Sequence, residues 1–389
     1  MNLKIAFFHN LPSGGALKML SHTAQLFRAR GHVVSLYSFS TAEHDFAPWP
    51  SKEIRLIEKL CFTGWLKFQA YQDASRKLAE SINQSDADFV WVDKCRFLSA
   101  PLVLKYIQKP YLFYAHEPLR NFENERLAGS IPAVGFNPAN PIELLAKISS
   151  AYDHFRVKFE DKKSIRSASG KILTNSKYTA AWIERVYDVQ AKVLYPSVNT
   201  DFFMPDGNVE KKRQVVSVGR LDAMKGYDFL LSVLLAMAPS VRPEWHIVCD
   251  YIDERFYKQF QKKAALGNVC FKIHHRISEE KLREIYRDSL WTLCASVHEP
   301  FGLVPLESMA CGTPVLAVRE GGFIESVKDG EVGYLLPREV LVWAQKIEQL
   351  LSDMNHSVKL GGNGVEYTRK NWSSKDWCDR LAQVSGVPF

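Results

Sequence analysis

The chain has 389 residues, enough for two domains of ordinary size. Apolar residues make up 46% and charged residues 24%, the balance of a soluble globular protein and not of a disordered or membrane-spanning one. The net charge of +7 is uneven: residues 1–200 hold 26 Lys and Arg against 18 Asp and Glu, whereas residues 201–389 hold 24 against 25. A basic first half suits anionic lipid, phosphorylated acceptors, nucleic acid or mere solubility. The seven cysteines (61, 95, 249, 270, 294, 311, 378) form no C-x-x-C pair and no cluster with His at metal spacing. They read as reduced thiols of a cytoplasmic protein, with no zinc site.

LKIAFF, near the start, is an apolar strand, and the polar turn LPSGG follows at once, so the segment does not read as a secretion signal. Apolar residues at Leu17, Leu20, Ala24 and Phe27 make a helical stripe that Gly31 ends, and HVVSLYSF is the next strand. This β-α-β unit predicts a parallel sheet. The segment 62–78 spaces Phe62, Trp65, Phe68 and Tyr71 three apart beside Lys67, Arg76 and Lys77. It reads as a core stripe or as an amphipathic helix facing membrane or acceptor. Further strands are expected at 88–93, 110–116 and 170–176, and the basic residues from Arg156 to Lys171 face anionic lipid or water. Pro196 to Pro205 lacks periodicity and marks a boundary. The α/β alternation then restarts with RQVVSVG, the loop RLDAMKG and the helix YDFLLSVLLAM, which is too short to span a bilayer. Two such runs predict two Rossmann-like domains, 1–198 and 199–371. NWSSKDWCDRLAQV is a last helix with Ser373 or Ser374 as N-cap.

The most informative stretch is HEPFGLVPLESMACGTPVL, residues 298–316. Gly302 permits a tight turn, Pro305 fits a first helical turn, and Gly312 with Pro314 stops the helix before the strand VLAV. The backbone amides of Phe301, Gly302 and Leu303 then face an anion at a helix N-terminus. Glu299 precedes those amides and Glu307 lies a turn inside, so a carboxylate reaches each side of a bound phosphate. A nucleotide-sugar has that layout, with sugar, diphosphate and ribose in a row. Arg220 and Lys225, five apart on the loop that opens the second domain, can converge on one diphosphate, the Arg by bidentate contact and the Lys as a point charge. Gly14 and Gly15 end the first strand, where missing side chains let backbone approach a phosphate or sugar. No G-x-G-x-x-G is present, and SLYSF ends the second strand without the acidic residue that holds an adenosine ribose, which disfavours a dinucleotide site. His116 ends the strand PYLFYAH, at a ligand-binding edge of an open α/β sheet. Asp250, Asp253 and Glu254 are spaced like a metal site but read as a solvated loop.

The order of SGG, YAHEP, ILTNSKYTAAWIERVY, VLYPSVNTDFF, VSVGRLDAMKG, HEPFGLVPLE and GG…ESVKDGEVGYLL along the chain resembles the family-4 retaining glycosyltransferases of the GT-B fold. That resemblance implies an α/β architecture of two Rossmann-like domains facing each other across a cleft, with the C-terminal helix (372–389) crossing back to complete the first. It implies a nucleotide diphosphate-sugar donor, UDP- or GDP-linked, bound by domain 199–371. It implies a glycan or lipid-linked acceptor bound by domain 1–198; the basic first half and the stretch 62–78 add the expectation of an anionic membrane surface, at the inner face of the membrane. It implies no metal, no cofactor and no nucleic acid. By the same resemblance Arg220 and Lys225 neutralise the diphosphate, Glu307 holds the ribose, Glu299 binds the donor sugar, His116 contacts that sugar near the reaction centre, and Arg276 with Ile277 marks the nucleobase stretch. His274 or His275 stands where many members have Gly, and GGF at 321–323 departs mildly from the family. A nucleotide-sugar epimerase and a non-catalytic nucleotide-sugar-binding protein are the alternatives.

Overall fold

The computed structural model describes residues 2–44, 51–54, 64–119, 155–207, 209–375 and 377–387. The chain divides into two compact units, Met1–Tyr195 with Cys378–Phe389, and Pro196–Trp377.

The first unit holds a seven-stranded sheet in the order β3-β2-β1-β4-β5-β6-β7. Its strands are β1 (Lys4–Asn10), β2 (Val33–Phe39), β3 (Ser51–Ile54), β4 (Phe89–Cys95), β5 (Tyr111–Ala115), β6 (Ile172–Thr174) and β7 (Lys192–Val193), all paired in parallel. The interior strands read as unbroken apolar runs because helices cover both faces of a parallel sheet. In β1 every residue after Lys4 is buried. Helices α1 (Gly15–Ala29), α2 (Gly64–Asn83), α3 (155–167) and α4 (Lys177–Tyr187) surround it. On α2, Phe68 and Tyr71 are buried in the core, so this part of the aromatic stripe packs inward. Phe62 lies outside the described residues, as do the side chains of Trp65 and Lys67.

The second unit repeats the same topology, with six strands in the order β10-β9-β8-β11-β12-β13. These are β8 (Lys212–Val218), β9 (Glu244–Cys249), β10 (Phe271–His275), β11 (Ser289–Cys294), β12 (Val315–Val318) and β13 (Gly333–Leu336), again parallel. Helices α5 (Tyr227–Ala236), α6 (Glu254–Leu266), α7 (Glu279–Asp288), α8 (Leu303–Ala310), α9 (Phe323–Ser326), α10 (Val340–Ser352) and α11 (Met354–Trp372) link and flank them. In both sheets the strand order reverses beside the first strand, between β1 and β4 and between β8 and β11. Open α/β sheets bind ligands at the carboxyl ends of such a pair.

The C-terminal helix differs from the expected 372–389. Ser373 is the C-cap of α11, not an N-cap, and α12 (Trp377–Ser385) starts later. Helix α11 runs on to Trp372, where the chain turns to bridge with Val198, whose N–H donates to the Trp372 carbonyl at 2.9 Å. A Cβ on Gly361 would stand 2.3 Å from the Gly312 carbonyl oxygen, and one on Gly364 would stand 3.2 Å from Met309 Cβ. These glycines let α11 pack closely on α8 instead of ending it. Helix α12 belongs to the first unit, where Lys192 Nζ donates to the Val384 carbonyl at 3.0 Å and Arg30 pairs with Asp379 at 2.7 Å.

Candidate functional site

In the second unit the loops after β8 and β11 meet backbone to backbone. Asp222 caps the turn Ala223–Lys225 by accepting the Met224 N–H at 3.0 Å. Gly226 follows in the left-handed region at φ 73°, and a Cβ there would stand 2.0 Å from the Ala295 carbonyl oxygen. Only glycine satisfies both conditions. The Val297 N–H donates to the Met224 carbonyl at 2.9 Å, closing the seam.

This seam positions the charged residues. Lys225 Nζ donates to Glu299 Oε2 at 2.8 Å, and both side chains are largely buried. The Lys225 stem lies along the Gly219 backbone, 3.2 Å from where a Cβ would be. Arg220 pairs with Asp222 at 2.7 Å, stacks over the Tyr251 ring and remains 55% exposed. Lys225 and Glu299 line one pocket together with Ser217, Ala295, Gly302 and Phe323. Arg220 and Lys225 are thus each held by a carboxylate, so an anion binding there would share or replace an existing partner.

Gly302, at φ 95°, is the N-cap of α8 and brings no capping side chain. Phe301 is buried with its ring 5.2 Å from Trp372, which fixes the backbone entering the helix. Leu303 is part-buried at the first helical position. The pair Gly321–Gly322 lies directly beneath: Cβ atoms there would stand 2.5 Å from the Glu299 carbonyl oxygen and 2.3 Å from Phe301 Cα. The Gly322 N–H also donates to the Glu299 carbonyl at 2.8 Å. Glu307 is only 5% exposed, and one of its oxygens accepts from the Tyr286 hydroxyl at 3.1 Å. Burial and that carboxylate push the Tyr286 phenol well above its ordinary range.

Farther along the sheet, Arg276 stands in the left-handed region at φ 52°, donating its N–H to the Cys249 carbonyl at 2.9 Å. Its side chain is exposed, and Ile277 beside it is half-buried. Asp253 spends its carboxylate capping α6, where it accepts from the N–H groups of Arg255 and Phe256. Among the described residues no group of three or more His, Cys, Asp or Glu could hold a metal ion.

In the first unit the switch point gathers different chemistry. His116, after β5, places Nε2 2.8 Å from Asp93 Oδ1 on β4. Since a carboxylate accepts, this contact sets the imidazole's tautomer. Asp93 is fully buried, its Oδ1 also accepts the Lys94 N–H at 2.7 Å, and its Oδ2 has no hydrogen-bond partner. Asn175 donates to the His116 carbonyl at 2.9 Å, and Lys94 pairs with Glu117 at 2.8 Å. His9, at the end of β1, accepts the Leu11 N–H, and burial holds its pKa down to about 4. Gly14, at φ 138°, is the N-cap of α1, and a Cβ on Gly15 would meet nothing within 4 Å. The loop before them is tied by Glu43, which accepts the Ser13 N–H at 3.0 Å and pairs with Arg96 at 2.9 Å.

Two side chains at these sites were not singled out from the sequence. Asp93 was visible only as the polar end of the strand DFVWVD. Arg338 donates to the Ala295 and Ser296 carbonyls at 2.9 and 3.2 Å while pairing with Glu320 at 2.6 Å, and so braces the loop after β11. Nothing in the motif LLPREV marks it.

The fold is that of the GT-B proteins. Anabaena HepE, solved with UDP and glucose, is similar over 99% of this chain and 100% of its own, with a TM-score of 0.75 at 17% identity. Residues 199–367 match the family model for glycosyl transferases group 1. That match lies within the second unit, and it is to this family that the chain is similar. It is 28% identical to the D-inositol 3-phosphate glycosyltransferase of Thermobispora bispora, across 49% of this chain and 49% of that protein. The chain thus spans about half the length of this curated relative. It is also 22% identical to the alpha-1,3/1,6-mannosyltransferase of Rhizomucor pusillus, across 98% of this chain and 90% of that one.

Proposed function

We propose that the protein transfers a sugar from a nucleotide diphosphate-sugar, UDP- or GDP-linked, to a glycan or lipid-linked acceptor. Transfer retains the anomeric configuration and needs no metal. The observation that carries this reading is the seam between the β8 and β11 loops. It holds Lys225 against Glu299 in one pocket, with Gly302 at the N-terminus of α8. A departing diphosphate develops negative charge, and a preorganised ammonium, a guanidinium and helix-terminal amides stabilise it without reorganising. The second unit binds the donor and the first binds the acceptor.

In this reading Arg220 and Lys225 take the diphosphate, Glu307 the ribose, Glu299 the donor sugar, and Arg276 with Ile277 the base. Gly14 and Gly15 leave room for sugar or phosphate, and His116 contacts the donor sugar. The acceptor hydroxyl attacks the anomeric carbon from the face the diphosphate leaves; the sugar–phosphate bond breaks as the new glycosidic bond forms. The departing phosphate takes the hydroxyl proton. Working on a lipid-linked acceptor, the protein sits at the inner face of the membrane. HepE holds UDP in its solved structure, which makes UDP the first nucleotide to try.

Calorimetry tests the site. Glu307→Ala is expected to weaken free UDP or GDP, whereas Glu299→Ala chiefly weakens the intact donor. The reversed pattern would overturn the assignment.

A further inference from the structure

Helix α3 carries two chemistries on one face. At about 100° per residue, positions 155, 159, 162, 163 and 166 fall within one third of the helix circumference. Phe155 and Phe159 stand there 68% and 57% exposed, the only phenylalanines among the exposed large apolar side chains of the described residues. Lys162, Lys163 and Arg166 continue the same face one to two turns on, the last two exposed; Arg166 donates to the Tyr187 carbonyl at 3.2 Å and pairs with Asp188 at 3.5 Å, which leaves the two lysines as the uncommitted cations of this face. The opposite side is the packed one, with Asp161, Ser164 and Ile165 buried. Both acidic residues of the helix are withdrawn from the exposed face. Glu160 pairs with Lys105, and Asp161 accepts the Ala100 N–H at 2.8 Å and the Tyr187 hydroxyl. The result is an aromatic end and a cationic end with no helix carboxylate between them.

We infer that this face docks the protein on an anionic lipid surface. The two phenyl rings enter the boundary between headgroups and acyl chains, and Lys162 and Lys163 meet the lipid phosphates. A second copy fits poorly, because the face would bring its cations against their own images. A soluble anion would leave both rings in water. The inference rests on the membrane-surface reading proposed above and names the surface that reading lacks. The stripe on α2 does not supply it, since Phe68 and Tyr71 are core residues.

The test is co-sedimentation of the full chain with vesicles of phosphatidylglycerol and phosphatidylcholine, against phosphatidylcholine alone. The wild type is expected to bind the anionic vesicles at low salt and to leave at high salt. The double variant Phe155→Ser with Phe159→Ser should lose roughly tenfold or more in partitioning. Lys162→Gln with Lys163→Gln should lose about fivefold per cation. Circular dichroism and the thermal transition should match the wild type in both, since all four side chains lie on the helix's outer face. If the wild type binds anionic vesicles and both variants bind equally well, the assignment of this face is overturned while the membrane-surface reading stands. If the wild type binds no anionic vesicle at low salt, both fall together.

Discussion

At the switch point of the second unit stand Arg220, Lys225 and Glu299, held in ion pairs and ranging from 16% exposed at Glu299 to 55% at Arg220. At that of the first unit stand His9, Asp93 and His116, each less than one-tenth exposed. The two sheets share one strand order, so topology chose where the loops gather but not what they do. A diphosphate brings its own charge and needs cations that can change partners as it arrives. In the proposed function His116 works beside a sugar hydroxyl and needs a fixed proton position, which its contact with buried Asp93 would supply. The difference teaches that one sheet topology can carry a polar, partly open cluster in the second unit and a buried, fixed one in the first.

Removing the charge from the adjustable side should have the largest effect. Lys225→Ala and Arg220→Ala are each expected to lower the transfer rate at least tenfold with the fold intact, since each loses a charge-assisted contact of roughly 1.5–3 kcal/mol. Steady-state rates decide it, and near-normal turnover in both would dissolve the contrast. On the fixed side Asp93→Asn keeps the shape and weakens the hold on His116. Its predicted signature is a fall in kcat of about tenfold with little change in donor KM, together with a changed pH profile. A change in KM alone would make Asp93 merely structural.

Burial in the first unit also predicts two opposed pH effects. His9 is pulled down to about 4 from 6.5 by desolvation, so the unfolded chain binds the extra proton. Its stability contribution is present above pH 6.5 and is lost as pH falls towards 4. Asp161 is pushed up to about 6 from 3.8 by burial, so the folded chain keeps the proton. Its contribution is present below 3.8 and is lost as pH rises through 6. Each is worth roughly 2–4 kcal/mol at its limit. Denaturant titrations between pH 4 and 6.5 should show His9→Asn destabilised by rising pH more steeply than wild type, and Asp161→Asn less steeply. Parallel curves for all three would mean neither group titrates as placed. The smallest expected effect is none: excess EDTA should leave transfer unchanged, and loss restored by magnesium or manganese would reveal a missing ion.

Much of the second unit was legible because its punctuation is local. Gly302, Pro305, Gly312 and Pro314 announce the start and stop of α8 within a dozen residues, and the RLDAMKG loop follows a clear strand. Asp93 and Arg338 were not legible, and of α3 only the basic residues were, not the two exposed phenylalanines beside them. Their meaning depends on partners far off in the chain: His116 for Asp93, the Ala295 carbonyl for Arg338, Lys105 and Tyr187 for the acids of α3. The glycines of α11 are of the same kind, since Gly361 answers to the backbone of Gly312 and not to its own neighbours. The aromatic spacing at 62–78 left core and surface open, and the packing of Phe68 and Tyr71 decides for the core there.

The contacts of Gly226 with Ala295 and of Gly321 and Gly322 with residues 299–301 are contacts between main chains. A main chain offers evolution almost nothing to vary. Under the proposed function, substitutions that change the choice of sugar or base are expected at the margins of this frame and not within it. The stretch of His274, His275, Arg276 and Ile277, with side chains exposed or half-buried, is such a margin, and it is where a library aimed at new donors would best spend its diversity.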